Sequence, residues 1–199
     1  MQIRITQRLK RSFFRRPTIQ VAKDLIGCFL VSLKEEKPII GQITETEAYV
    51  GAIDSASHAY KKRTPRTEVQ YGKPGLAYTY LIYGVHTLFC VVTEPEGKGA
   101  AVFIRSLKPI QGQEIMIRNR KAKKEVLEKQ SRKICSGPGL LSQAFNFKPS
   151  LSGKDLCSPQ SKIFFQRREK DNIKIGKAKR IGIDYAQEKD INRLWRFYL

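Results

Sequence analysis

Cys28-Phe29-Leu30-Val31-Ser32-Leu33, then Glu35-Glu36-Lys37-Pro38, then Ile39-Ile40-Gly41-Gln42-Ile43-Thr44-Glu45-Thr46-Glu47-Ala48: a strand, a turn and a partner strand. The second run closes in alternation, with Thr44 and Thr46 on one face and Glu45 and Glu47 on the other, because successive side chains of a strand point to opposite sides. Upstream, residues 1–16 form a basic arm with Phe13 and Phe14 as an anchor. Pro17-Thr18 opens a short helix with Val21, Leu25 and Ile26 on one face and Gly27 as its stop. Downstream, Gly51, Pro65, Gly72, Pro74 and Gly75 mark residues 50–75 as loop. Residues 76–83 read as a strand, Gly84 as a turn, and 86–93 and 100–107 as further strands. The segment 109–133 reads as a very basic helix, carrying Arg118, Arg120, Lys121, Lys123, Lys124, Lys129, Arg132 and Lys133. Ser136-Gly137-Pro138 starts another helix through Phe145, with Ser136 as candidate N-cap. The tail alternates again from residue 160 and ends Trp195-Arg196-Phe197-Tyr198-Leu199. Without an internal repeat or a long linker, one mixed α/β domain is the expectation.

The chain of 199 residues is long enough for a proper core, and its 41% hydrophobic content argues against disorder. Thirty-eight Lys and Arg face 18 Asp and Glu, a net charge of +20 that calls for a polyanionic partner, nucleic acid before a membrane surface. No stretch approaches the ~18 consecutive apolar residues of a membrane-spanning helix. The N-terminus lacks the apolar region and cleavage site of a secretory signal. Cys28, Cys90, Cys135 and Cys157 are far apart, which denies a zinc ribbon or a disulfide scaffold and suits free thiols in a reducing cytoplasm.

Glu45 and Glu47 could form a general acid/base pair, a metal site or a solvated edge. Asp54 and His58, one of two histidines, follow closely. The HxxxH and HExxH spacings are absent, so metal is the weaker reading. Tyr49, Tyr71, Tyr78, Tyr80 and Tyr83 give an unusual density of phenols. Tyr78 and Tyr80 share a strand face and Tyr83 falls at the turn. Such rings either fill a core or stack on bases while hydrogen-bonding through the hydroxyl. Gly72-Lys73-Pro74-Gly75 and Gly137-Pro138-Gly139 lack the GxxxxGK[ST] pattern of nucleoside triphosphatases. The helix start at Ser136 could still receive a backbone phosphate.

Several motifs occur in one order: Glu45-Thr46-Glu47-Ala48-Tyr49, Asp54-Ser55-Ala56-Ser57-His58, Thr64-Pro65-Arg66, Gly72-Lys73-Pro74-Gly75 and Tyr78-Thr79-Tyr80-Leu81-Ile82-Tyr83-Gly84. Ala101-Val102-Phe103-Ile104-Arg105, Ser136-Gly137-Pro138 and Trp195-Arg196-Phe197-Tyr198 continue it. From about Ala22 to the C-terminus the chain resembles the alkyladenine (3-methyladenine) DNA glycosylases. The resemblance implies a mostly antiparallel, curved β-sheet with flanking helices and a protruding β-hairpin, residues 17–199 being the catalytic domain. It implies a monofunctional enzyme of base excision repair that flips alkylated purines (3-methyladenine, 7-methylguanine, hypoxanthine as a further candidate) out of duplex DNA. Glu47 would activate the hydrolytic water and Arg105 would hold both. Tyr49 and Tyr80 would sandwich the extruded base beside His58, and Tyr83 would fill the gap in the duplex. No metal or organic cofactor is implied. A monomer is expected, bacterial-like and cytoplasmic at the nucleoid. Two positions depart from the pattern: Cys90, where mammalian members place an asparagine on the pocket floor, and Leu140, where lysine is common. A DNA-binding module without activity and a metal-dependent nuclease using Glu45, Glu47, Asp54 and His58 are the competing readings.

Overall fold

The computed structural model describes residues 7–121, 133–168 and 173–199. Two helices, α1 (Arg11–Phe14) and α2 (Thr18–Leu25), precede strands β1 (Phe29–Ser32) and β2 (Ile39–Val50). Strands β3 (Ala77–Ile82), β4 (His86–Thr93) and β5 (Ala100–Gln111) follow, then helices α3 (Gln113–Asn119) and α4 (Pro138–Ala144). Strand β6 (Ile163–Gln166), strand β7 (Gly176–Ala178), helix α5 (Glu188–Ile191) and strand β8 (Arg196–Tyr198) complete the chain. The strands form one sheet in the order β3-β4-β5-β2-β1-β6, with β8 joining β2 and β7. Every pairing between them is antiparallel. The fold is a single mixed α/β domain on a curved antiparallel sheet. Among the described residues no helix is long and apolar enough to cross a membrane.

Strand alternation divides the core. One face carries Ile43, Ala48, Ala77, Phe89, Val91, Val102 and Ile104, packed with Val21, Ala22 and Leu25 of α2 and Leu141 of α4. Between strand and helix, Thr46 Oγ1 donates to Ala22 O at 2.9 Å. The opposite face carries Tyr78, Leu88, Cys90, Val92, Ala101 and Phe103, with Tyr49, Tyr80 and Ile82 packed against them. Burial at roughly 25 cal/mol per Å² makes the first face the fold's main stabilising term. The second face is free to build a site.

Residues 7–16 lie along the sheet's β6 edge. Leu9 N–H donates to Phe165 O at 2.8 Å, and Phe14 is buried 5.5 Å from the Phe165 ring.

Two sequence expectations need correction. The segment 109–133 does not open as a helix: β5 runs on to Gln111 and α3 covers only Gln113–Asn119, while residues 122–132 lie outside the described residues. Pro109 is tolerated there because β4 pairs only with Ala100–Phe103, and the register against β2 shifts at Ile40/Gly41. A proline at an open edge beside a bulge removes no ladder bond. The N-cap of α4 is Gly137, not Ser136, with no side-chain cap bond; its φ of +96° is a conformation that L side chains avoid.

Candidate active site

The centre of β2 positions the two glutamates. Register shifts on either side of Glu45 leave Thr44 of β2 and Arg105 of β5 without a register partner across the β2–β5 pairing. A bulge re-aims side chains. Here consecutive residues of β5, Arg105 and Ser106, both reach Glu45: Arg105 Nε donates to Oε1 at 3.1 Å and Ser106 Oγ to Oε2 at 3.1 Å. Arg105 also pairs through its NH1 with Glu47 Oε2 at 3.2 Å.

Glu47 is fully buried, so the solvated-edge reading does not hold for it. Its Oε1 accepts the Ile181 N–H at 2.9 Å and its Oε2 the Tyr49 hydroxyl at 2.8 Å. Burial raises its pKa above the ordinary carboxylate value; Arg105, the Ile181 amide and Tyr49 oppose that rise, and Glu45 adds to it. Tyr49 is held well above the ordinary phenol by burial and the Glu47 charge, so it stays a donor.

In front of Glu47 lies a cavity of about 280 Å³, near the lower end of the ~300–1,000 Å³ typical of small-ligand sites. Tyr49, His58, Tyr80, Tyr83, Cys90 and Arg105 all line it, while Glu47 stands one layer behind, bound to Tyr49 and Arg105. Tyr49 and Tyr80 both rest on Phe103, at 6.5 and 6.3 Å between centroids. Tyr80 stacks on Tyr78 at 5.6 Å and meets the His58 ring edge-on at 4.7 Å. His58 Nδ1 and the Tyr78 hydroxyl share a hydrogen bond of 2.9 Å, and burial together with the Arg66 charge lowers the histidine to about 4. Cys90 is buried in the cavity wall, its thiol pushed up by desolvation and the Glu47 charge. Tyr83 stands apart in exposure, 87%, in left-handed backbone (φ +51°) at the tip of the β3–β4 hairpin between Leu81 and Val85, both exposed.

Asp54 takes a different place from the one its sequence neighbourhood suggests. It is fully buried and bidentate to Arg180, at 2.6 and 2.7 Å, and accepts the amides of Val50 and Ala56. Arg180 lies between Tyr49 and Trp195, at 4.7 and 5.2 Å from their ring centroids. The pair therefore clamps the segment that delivers the Ile181 amide to Glu47. Among the described residues no group of three or more His, Cys, Asp or Glu gathers as metal ligands would. The amide of Gly137 is already bound to Ser106 Oγ at 2.9 Å and Pro138 has none, so the α4 start is poorer in free donors than expected. In the basic segment, Arg118 pairs with Glu35 and Glu36, and Arg120 binds the carbonyls of Lys133 and Ile134.

Phe103, Gln70, Ile181 and Tyr185 also line the cavity, though the sequence did not single them out. Phe103 had a signal, lying two residues before Arg105 on an alternating strand. The 181–185 segment had none, because only tertiary contact brings it to β2.

The description "Methylpurine-DNA glycosylase" belongs to a family model that matches residues 12–199. The chain is 43% identical over 196 residues to the "Putative 3-methyladenine DNA glycosylase" of Clostridium tetani, covering 96% of this chain and 95% of that protein. It is 44% identical over 197 residues to a protein of the same name from Desulfitobacterium hafniense, covering 97% and 95%. A buried carboxylate behind an aromatic cavity, on a strongly basic fold, agrees with that likeness. The chain belongs to the methylpurine-DNA glycosylase family, hydrolases of the N-glycosyl bonds that hold alkylated bases in DNA.

Proposed function

We propose that this protein, as a monomer, extrudes alkylated purines such as 3-methyladenine and 7-methylguanine from duplex DNA and hydrolyses their glycosidic bond with a water activated by Glu47. The observation that carries this reading is the placement of Glu47: fully buried, held by two hydrogen bonds and an ion pair, and directly behind a cavity walled by aromatic rings. A carboxylate has about four lone-pair sites. One on each oxygen takes a hydrogen bond, from the Ile181 amide on Oε1 and the Tyr49 hydroxyl on Oε2, and Arg105 pairs ionically on the Oε2 side, so Oε1 keeps one with which to accept a proton from water.

Methylation at N3 or N7 makes the purine cationic and its glycosidic bond weak. As the C1′–N bond breaks, its electron pair neutralises the departing base and the sugar develops oxocarbenium character. Water forms the new C1′–O bond and gives its proton to Glu47, as the base of an inverting glycosidase does. The negative charge of Glu47 also stabilises the cationic sugar. The product is an abasic site in an unbroken strand. Extraction of a base from the stack costs a few kcal/mol. Tyr83 enters the duplex to occupy the vacated space, and Tyr49, Tyr80 and His58 receive the base. Incubation with methylated duplex DNA in EDTA should release free methylated purines and leave strands intact until alkali is added. Bound DNA with no released base would contradict the reading.

A further inference from the structure

Glu45 lies outside the cavity, yet it holds together three partners around the site. Its Oε1 accepts from Arg105 Nε and from Arg196 NH1, each at 3.1 Å, and its Oε2 from Ser106 Oγ at 3.1 Å. Ser106 Oγ in turn accepts the Gly137 amide at the start of α4, whose Pro138 lines the cavity. Arg105 thus bridges two carboxylates through two different nitrogens, Nε to Glu45 and NH1 to Glu47. All of these groups are shielded: the side chains of Glu45, Arg105 and Arg196 are 18%, 10% and 23% exposed. In such surroundings charges interact at an effective dielectric of about 20, so the balance of two acids and two arginines matters for the reaction.

We infer that Glu45 is a positioning residue for hydrolysis: it fixes Arg105 by Nε so that NH1 meets Glu47, and it offsets the arginine charge that would otherwise fall wholly on the base. The inference rests on the general-base reading of Glu47. Without the Glu45 charge, the Arg105 cation would hold Glu47 more firmly ionised and less basic. It would also stand uncompensated near a sugar that becomes cationic. The β5 bulge is the device that lets one glutamate grip Arg105 and Ser106 at once.

Glu47 is faced by Arg105 from β5, by Glu45 and Tyr49 from β2, and by Arg180, Tyr185 and the Ile181 amide from the C-terminal segment. Tyr80 of β3 and Cys90 of β4 also feel its charge, and Arg196 of β8 is its cross-strand neighbour. The phenols and the thiol are raised by burial and stay protonated, and the arginines stay charged. A displaced acid limb of the rate profile therefore reports on the charge balance around Glu47.

The test is single-turnover release of methylated purine from duplex DNA across pH, for the wild type, Glu45→Gln, Arg196→Gln, Arg105→Gln, the Glu45→Gln/Arg105→Gln double variant and Glu47→Gln. Glu45→Gln should slow release by about tenfold or more, move the acid limb to lower pH by about half a unit or more, and leave DNA affinity unchanged. Because Glu45 acts through Arg105, the same change should cost less than about twofold once Arg105 is Gln. Arg196→Gln should move the limb the opposite way, to higher pH. A Glu45→Gln rate within twofold of wild type, an unmoved limb, or a full loss repeated in the Arg105→Gln background would overturn the inference. Should Glu45→Gln fail to fold by circular dichroism, the Arg196→Gln limb decides: a rise supports the inference and an unmoved limb overturns it. Release retained by Glu47→Gln would instead sink the general-base reading. A silent Glu47→Gln beside an unaffected Glu45→Gln overturns only the role of Glu45.

Discussion

His58 shows how a single residue is set for its task by what surrounds it. Its ring is packed against Tyr78 and Tyr80, with Nδ1 bound to the Tyr78 hydroxyl, and its pKa is lowered to about 4 by burial and then by Arg66. A neutral imidazole presents a cationic purine with no like charge, which suits a pocket for methylated bases. The sign of the pH effect follows. The folded pKa lies below the unfolded 6.5, so the unfolded chain binds a proton that the native one refuses. Stability from this group is complete above pH 6.5 and is lost as pH falls toward about 4. NMR of the imidazole nitrogens should show one neutral form from pH 8 to about pH 5. A charge transition centred near 6.5 would refute this environment. Packing sets the two stacking rings as well, since Phe103 is the surface on which both Tyr49 and Tyr80 rest.

At the level of elements, the β3–β4 hairpin reaches from the cavity wall to the protein surface. Its base contributes Tyr78, Tyr80, Leu88 and Cys90 to the cavity, while its tip carries exposed Tyr83 between Leu81 and Val85. Tyr83→Ala removes a ring that makes little native contact, so stability should stay within about 0.5 kcal/mol. Base release under subsaturating DNA should nevertheless drop by roughly tenfold or more, because the wedge acts only on the flipped duplex. Unchanged excision would remove Tyr83 from the account. The hairpin was legible in the sequence because alternation and a glycine turn are local signals. So were α2, with its periodic Val21 and Leu25, and the shared face of Glu45 and Glu47. The two β2–β5 register shifts beside Glu45 were not legible: nothing in Ile104-Arg105-Ser106 announces that one residue will lose its partner on β2. The helix expected from residue 109 starts later for the same reason, since β5 runs on through Pro109 to Gln111 at an open strand edge. Asp54 and Arg180, 126 residues apart, form a pair that only the folded chain displays.

Across the whole molecule the excess of cations is the feature read most easily and located least. Thirty-eight Lys and Arg against 18 acids give +20. Yet several of the arginines serve the fold, Arg180 on Asp54, Arg118 on Glu35 and Glu36, Arg105 on both glutamates of β2. Others stay exposed, including Lys61, Lys62 and Arg66, and the first two border a hollow shared with His58 and Tyr185. The cations of residues 122–132 lie outside the described residues. Binding to undamaged duplex DNA should weaken steeply with salt, each neutralised phosphate adding about −0.9 to the log–log slope. A flat profile in fluorescence anisotropy would mean that the charge serves no phosphate contact.

The most direct measurement is single-turnover release of 7-methylguanine from duplex DNA by Glu47→Gln beside the wild type, with affinity for the same duplex recorded in parallel. Glutamine keeps the size of the side chain and removes the proton acceptor. Release should fall by at least about 10²-fold with affinity retained. Excision near the wild-type rate would contradict the water-activating role of Glu47 and with it the mechanism proposed here.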